Sequence, residues 1–145
     1  MKLNTGDLVT CRIIRINRND VRCQLLLHHP TIKNTTYNVQ KYNVSGIIRY
    51  NDCQANITSD LIPIHELYHP NDIIVSTIQY YNPSSSQYIL STQSIEHGVI
   101  ICYCECGSTL VPINNNTVQC PVTKHEYKRK LGNIEKYIQL TNTNT

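Results

Sequence analysis

The sequence contains no Phe and no Trp, a single Met and five Gly among 145 residues. Aromatic packing therefore falls to ten Tyr, and the rest of a core mainly to Ile, Leu and Val. No apolar run is long enough to span a bilayer as a helix. The opening Met1-Lys2-Leu3-Asn4-Thr5-Gly6-Asp7 lacks the apolar stretch of a signal peptide, so an intracellular chain with reduced thiols is expected. In that compartment the sequons Asn34-Thr35-Thr36 and Asn56-Ile57-Thr58 carry no weight, and seven Cys do not imply disulfides. Also missing is positive charge in the middle. Residues 51–98 hold five acids and no Lys or Arg, whereas residues 1–50 hold eight basic residues against two acids. The net charge of +3 is too small to announce a nucleic-acid binder. Its segregation predicts one face for an anionic partner and another for something different.

Close carboxylate pairs are absent too. Asp52, Asp60, Glu66 and Asp72 scatter along the chain without the spacing of a nuclease metal site. No nucleophile converges with an acid/base partner, so no enzyme is expected. What is present is alternation. In Leu8 to Ile16, Val9, Cys11 and Ile13 alternate with Thr10, Arg12 and Ile14, which predicts a strand. Asn17-Arg18-Asn19-Asp20 is turn chemistry, and Val21 to Leu27 returns as a second strand. His28 to Asn43 reads as a long surface loop, with His28 and His29 at the surface. Ser45 to Arg49, Ile73 to Tyr81 and Gln87 to Thr92 supply three more strands, with a helical turn between Leu61 and Leu67 entered through Ser59-Asp60. Five short strands around one irregular excursion predict a small closed barrel of OB type. Cys11, Cys23 and Cys53 fit as small buried hydrophobes. His65 and His69 fit as surface residues. Ser94 to Gly98 reads as a linker, and Thr141 to Thr145 as a disordered tail.

The second half turns on Cys102-Tyr103-Cys104-Glu105-Cys106-Gly107, answered by Cys120-Pro121. A zinc ribbon gives two thiolates from each of two tight knuckles, typically Cys-x-x-Cys followed by Gly. Here Cys106-Gly107 and Cys120-Pro121 supply one cysteine of each. The positions of their partners are held by Tyr103 and Thr123. A structural zinc has a candidate ligand set in Cys104 or Cys102 with Cys106, Cys120 and His125. A metal-free module packed on Leu110, Val111, Ile113 and Val118 is the preferred expectation. A redox-active Cys-x-Cys is disfavoured, because Glu105 raises a thiol pKa and no cation flanks the pair.

Gly6-Asp7-Leu8-Val9, a hairpin, Ser45-Gly46-Ile47-Ile48-Arg49-Tyr50-Asn51-Asp52, Pro70-Asn71-Asp72-Ile73-Ile74-Val75 and Tyr88-Ile89-Leu90-Ser91-Thr92 follow one order. With Glu96-His97-Gly98-Val99-Ile100 and Gln119-Cys120-Pro121-Val122-Thr123 behind them, the chain resembles the Csl-four family of RNA exosome cap subunits. The resemblance implies a mainly β chain: an S1-type five-stranded OB barrel over residues 1–95, then a zinc-ribbon-like domain over residues 96–145. Two departures stand out. Family members carry a small N-terminal β domain before the barrel, and some keep four ribbon cysteines.

The resemblance further implies a non-catalytic, RNA-binding subunit that helps to cap the exosome ring, in nucleus, nucleolus and cytoplasm. It would guide RNA towards 3′→5′ degradation and processing by a separate nuclease. Its partners would be RNA, RNase PH-like ring subunits and other cap proteins, with no membrane; the acidic middle and the ribbon would dock onto the ring. S1 platforms place aromatics on the second and third strands, and the matching positions here are Asn19, Arg22 and Arg49. Arg18, Arg22 and Arg49 are therefore the RNA-contact candidates, with Arg15 adding charge. Weak, salt-sensitive, sequence-blind contact is expected. No cofactor is expected. The alternative is a stand-alone S1-type factor in translation or ribosome assembly, which would call for a stronger aromatic platform.

Overall fold

Alternation in the first thirty residues becomes a long antiparallel hairpin in the computed structural model, which describes residues 3–31, 35–54 and 62–139. Its arms are β1 (Leu8–Ile16) and β2 (Asp20–His29), joined through Asn17-Arg18-Asn19. A two-residue strand β3 (Tyr37–Asn38) pairs with the end of β2, and a 3-10 turn follows at Gln40–Tyr42. β4 (Ser45–Arg49) leads directly into one helical turn, α1 (Tyr50–Cys53). After a 3-10 turn at Ile64–Glu66 come β5 (Ile73–Asn82) and β6 (Gln87–Ser91). The sequon Asn56-Ile57-Thr58, the helix entry at Ser59-Asp60, Leu61, Asn34 and the tail from Thr141 lie outside the described residues.

The order β1-β2-β4-β6-β5 closes on itself because β1 also pairs with β5. All barrel pairings are antiparallel except β4 with β6. This is the closed five-stranded OB topology that the strand pattern predicted. Val9, Cys11, Ile13, Val21, Leu25, Ile48, Ile74 and Leu90 point inward with no exposed surface. Tyr68 is the one aromatic buried completely, its hydroxyl paired with Thr92. Cys11, Cys23 and Cys53 are buried as well.

His28 and His29 are not at the surface. They are the last residues of β2 and are buried beside Leu8 and Val9 of β1. Burial of a polar ring requires partners. His28 Nε2 meets Asp7 Oδ2 at 2.7 Å, and His29 lies 2.9 Å from both Thr10 Oγ1 and Thr36 Oγ1. Burial pushes the Asp7 carboxyl up, but hydrogen bonds from His28, Asn4 N–H and Thr31 N–H outweigh it and leave its pKa lowered.

Past the barrel, β7 (Gly98–Ile101) pairs with β5 and joins the barrel sheet at its edge. A separate three-stranded sheet follows: β8 (Val111–Asn114), β9 (Thr117–Gln119) and β10 (Glu126–Lys128). Leu110 and Val118 are buried under it, but Val111 and Ile113 are about half exposed and do not form its core. A last helical turn, α2 (Ile134–Tyr137), is capped by the Asn133 side chain.

Residues 129–132 clasp this sheet to the barrel. Arg129 Nε donates to Asp72 Oδ2 at 2.8 Å, with 5% and 2% of the two side chains exposed. The same Asp72 oxygen caps the turn before β5 by accepting from His69 N. Burial pushes the Asp72 carboxyl up to about 6, against the pull of Arg129. Lys130 Nζ donates to the carbonyls of Ser94 and His97, while its backbone N–H reaches Leu67 O. Gly98, at φ +143°, lets this strand come so close that a Cβ would strike the Lys130 carbonyl. No helix among the described residues is long and apolar enough to cross a membrane.

Both buried polar sites are open to test. Arg129→Ala leaves a buried carboxylate unpaired and should cost about 3–5 kcal/mol in urea unfolding, whereas Asp72→Asn combined with Arg129→Met should cost less. Burial, reinforced by His28, lowers the His29 pKa from 6.5 to about 4. The unfolded chain therefore takes up that proton first as pH falls. The His29 contribution should be complete above pH 6.5 and be lost towards pH 4 by ~1–2 kcal/mol, while Asp72, with its raised pKa, acts in the opposite sense. The wild-type profile should therefore fall relative to that of His29→Gln between pH 6.5 and pH 4.

Candidate functional site

One outer face of the barrel gathers the unpaired positive charge. Strict alternation along β1 would send Arg15 inward with Val9, Cys11 and Ile13. A bulge intervenes: Ile13 opposes Cys23, Ile14 is the extra residue, and Arg15 opposes Arg22. Two exposed guanidinium groups thus stand directly across from each other. Like charges in that position weaken a strand pair. Neither side chain, nor that of Arg18 at the hairpin turn, has an ion pair or hydrogen bond among the described residues. Arg18 also lines a groove of about 660 Å³ with Asn19, Tyr50, Asn51, Pro63 and His65.

A second bulge acts on β5. Ile78 faces the core opposite Leu90, Gln79 is the extra residue, and Tyr80 opposes Ile89. Period two would have put Tyr80 on the side of Ile78; the bulge turns it outward. Arg15, Arg22, Ile47, Ile89 and Tyr80 consequently form one row across β1, β2, β4, β6 and β5. Arg49, on the same face of β4, is less free than the sequence suggested. Its Nε donates to Asp52 Oδ2 at 2.7 Å and its Nη1 to the Tyr80 hydroxyl at 3.2 Å. The Asp52 hydrogen bond holds the Arg49 pKa above its ordinary value. Sequence reasoning thus brought Arg18, Arg22 and Arg49 to the surface but missed Tyr80. The only available signal was a tyrosine near the end of a strand.

The acidic middle is not a face. Asp52 and Asp72 are buried in ion pairs with Arg49 and Arg129, and Glu96 pairs with Lys136 at 2.9 Å. Asp60 lies outside the described residues. The excess of acids in residues 51–98 is spent largely on basic residues from elsewhere in the chain.

The cysteine centre sits on two turns of the small sheet. Gly107, at φ +92°, closes the first by donating its N–H to Cys104 O, and Lys124 N–H closes the second on Cys120 O. The sulfurs of Cys104, Cys106 and Cys120 all lie within 4.8 Å of one another, and Cys106 and Cys120 are 3.5 Å apart. In a tetrahedral zinc–thiolate site the sulfurs are about 3.8 Å apart, so three corners suit a metal ion such as a structural zinc. His125 is not part of the group, and neither is Cys102, which is buried with its thiol pKa pushed up to about 12 by burial. The fourth corner belongs to Thr123. Its N–H donates to Cys120 Sγ at 3.3 Å, and its hydroxyl lies 3.9 Å from Cys104 Sγ. A hydroxyl is a poor zinc ligand, which leaves the protein set at three.

Hydrogen bonds favour the thiolates in place of a cation. Those from the Thr123 hydroxyl and N–H lower the Cys120 pKa to about 6. Those from Cys106 N–H and the Tyr127 hydroxyl lower that of Cys104, against burial and the neighbouring Cys120. Tyr103, at the position of the missing partner of Cys106, is half exposed and bridges Thr109. Thr123→Cys should supply the missing corner. About one zinc per chain and an affinity raised roughly tenfold or more in a chelator competition are expected, with Cys120→Ser abolishing uptake.

No family model matches the chain. It is homologous to exosome complex component CSL4: the Mus musculus protein is 29% identical over 133 residues, and the Homo sapiens protein 28% identical over 133 residues. Each match covers 91% of this chain and 64% of the relative, so the chain spans just under two thirds of the length of these proteins.

Proposed function

We propose that this chain is a non-catalytic, RNA-binding cap component of an RNA exosome. The observation that carries the reading is homology running through both the closed barrel and the cysteine-bearing sheet, 133 residues in one match. A protein sharing only a generic barrel would not be expected to continue into the second element. In this reading residues 1–95 form the RNA-facing domain and residues 96–145 the docking domain, acting in nucleus and cytoplasm. The cap stabilises the ring and leads a free 3′ end inward for degradation and rRNA processing by a separate nuclease.

Electrostatics supports the RNA side. Arg15, Arg18 and Arg22 crowd one face without acidic partners among the described residues, and an approaching phosphate backbone would relieve their mutual repulsion. The lack of chemistry is supported by how the carboxylates are used: Asp7, Asp52, Asp72 and Glu96 each hold a structural partner. Docking onto RNase PH-like ring subunits falls to the small sheet. Its exposed Val111, Ile113 and Val122 suit a protein contact better than a solvated surface.

Co-purification of the tagged chain from native extract tests assembly. Ring proteins are the expected company; recovery of ribosomal proteins alone would overturn the proposal in favour of a translation or ribosome-assembly factor. In solution, Arg22→Ala should weaken single-stranded RNA binding and reduce the slope of log affinity against log salt by about 0.7. It should leave stability unchanged or raise it by a few tenths of a kcal/mol, because a like-charge pair is removed.

A further inference from the structure

The geometry points to a stacking site for one unpaired nucleobase, in which Tyr80, from a strand outside the second- and third-strand platform, joins Arg49. The inference rests on the RNA-binding reading above and adds Tyr80, with a stacking role for Arg49 in place of a phosphate contact. Tyr80 is 43% exposed, on a strand whose inward positions are otherwise filled. One side of its ring lies on the row containing Ile47 and Ile89. Ile89, although on the outer face, is only 4% exposed. With 43% of the residue exposed, part of the ring is accessible to a second planar group.

Arg49 is held as a flat extension of that surface. Its Nε is fixed by Asp52, its Nη1 by the Tyr80 hydroxyl, and its Nη2 by Gln79 Oε1 at 3.5 Å. Three contacts around one guanidinium set its plane while 49% of the side chain remains exposed. The guanidinium carbon is 5.7 Å from the Tyr80 ring centroid, and the hydrogen bond goes to the phenol oxygen. The guanidinium thus lies against the hydroxyl side of the ring, and Tyr80 still keeps 43% of its surface exposed. A phosphate-binding arginine needs free donors. Arg49 has three of its five N–H donors engaged, which fixes its plane and offers its exposed face, and both guanidinium and phenol faces stack on bases.

Position fits the ligand. Arg15 and Arg22 lie farther along the same row, so a strand whose phosphates meet them can turn a base onto Tyr80. Every base has a π-face, so the site tolerates sequence and favours single strands, whose bases are free to splay out. Gln79 and Tyr80 both reach this face because the bulge places them on it, one as support and the other as platform.

The test is fluorescence anisotropy of the full chain with a labelled single-stranded oligoribonucleotide across a salt series. Tyr80→Ala should weaken binding by about tenfold at every salt concentration with an unchanged salt slope, because stacking removes no phosphate contact. Tyr80→Phe keeps the ring, should lose less than about threefold, and guards against misfolding of the alanine variant. Arg49→Lys keeps the charge but not the plane, and should lose affinity without changing the slope. A 2-aminopurine base in the RNA should be quenched by the wild-type chain and by Tyr80→Phe, not by Tyr80→Ala. Wild-type affinity and quenching in a folded Tyr80→Ala protein would overturn the stacking site and leave RNA binding intact. Failure of the wild-type chain to bind RNA at all would overturn both.

Discussion

Closure of the barrel is the constraint on which the rest depends. β1 is hydrogen-bonded along both edges, to β2 on one side and β5 on the other, so its residues have two fixed destinations, core or solvent. A five-stranded interior is narrow. Branched aliphatics and the thiols of Cys11, Cys23 and Cys53 fill it with one complete tyrosine, Tyr68, which is how a chain without Phe or Trp packs a barrel. Strands bent this sharply take up extra residues as bulges. Each bulge switches the facing of the residues beyond it. Curvature and chemistry are thereby linked: the irregularities that let the sheet close also turn Arg15 and Tyr80 to the outside of the barrel, where Arg22 and Arg49 lie.

The second organising element is the clasp at Arg129 and Lys130. A buried arginine–aspartate pair is weak as a source of stability, because desolvation offsets its attraction, but it is strongly directional. Here one Asp72 oxygen serves both Arg129 and the turn entering β5, so the approach of the small sheet is referenced to the barrel itself. Lys130 reinforces this through two backbone carbonyls, at the expense of its own charge: burial lowers its pKa to about 8. The acidic excess of residues 51–98 acquires its meaning at this point. Asp72 and Glu96 pair with basic groups arriving from distant parts of the chain, and Asp52 with the adjacent Arg49.

The cysteine centre is a ribbon geometry with three thiols and a threonine. Donors from Thr123, Tyr127 and the turn backbone surround the sulfurs with the hydrogen bonds that thiolates accept. Leu110, Val118 and the Arg129 clasp hold the sheet from the other side. Folding here draws on packing and hydrogen bonding, while the sulfur triangle keeps the dimensions of a metal site. That combination accounts for a module whose strands persist although its fourth thiol is absent.

Local periodicity fixed a great deal. The bounds of β1 and β4, the turn at Asn17 to Asn19, the inward thiols and the exposure of Arg18, Arg22 and Arg49 were all legible, because a strand repeats every two residues and a turn announces itself in four. What escaped lies where a residue's surroundings come from elsewhere in the chain. His28 and His29 look polar in sequence and became buried only because Asp7, Thr10 and Thr36 reach them. Arg129 finds Asp72 across 57 residues, and Thr123 instead of His125 meets the sulfurs. Tyr80 shows the difference most plainly: its identity was always visible, but its side of the sheet was set by a one-residue register shift, and register belongs to paired strands and not to a single one.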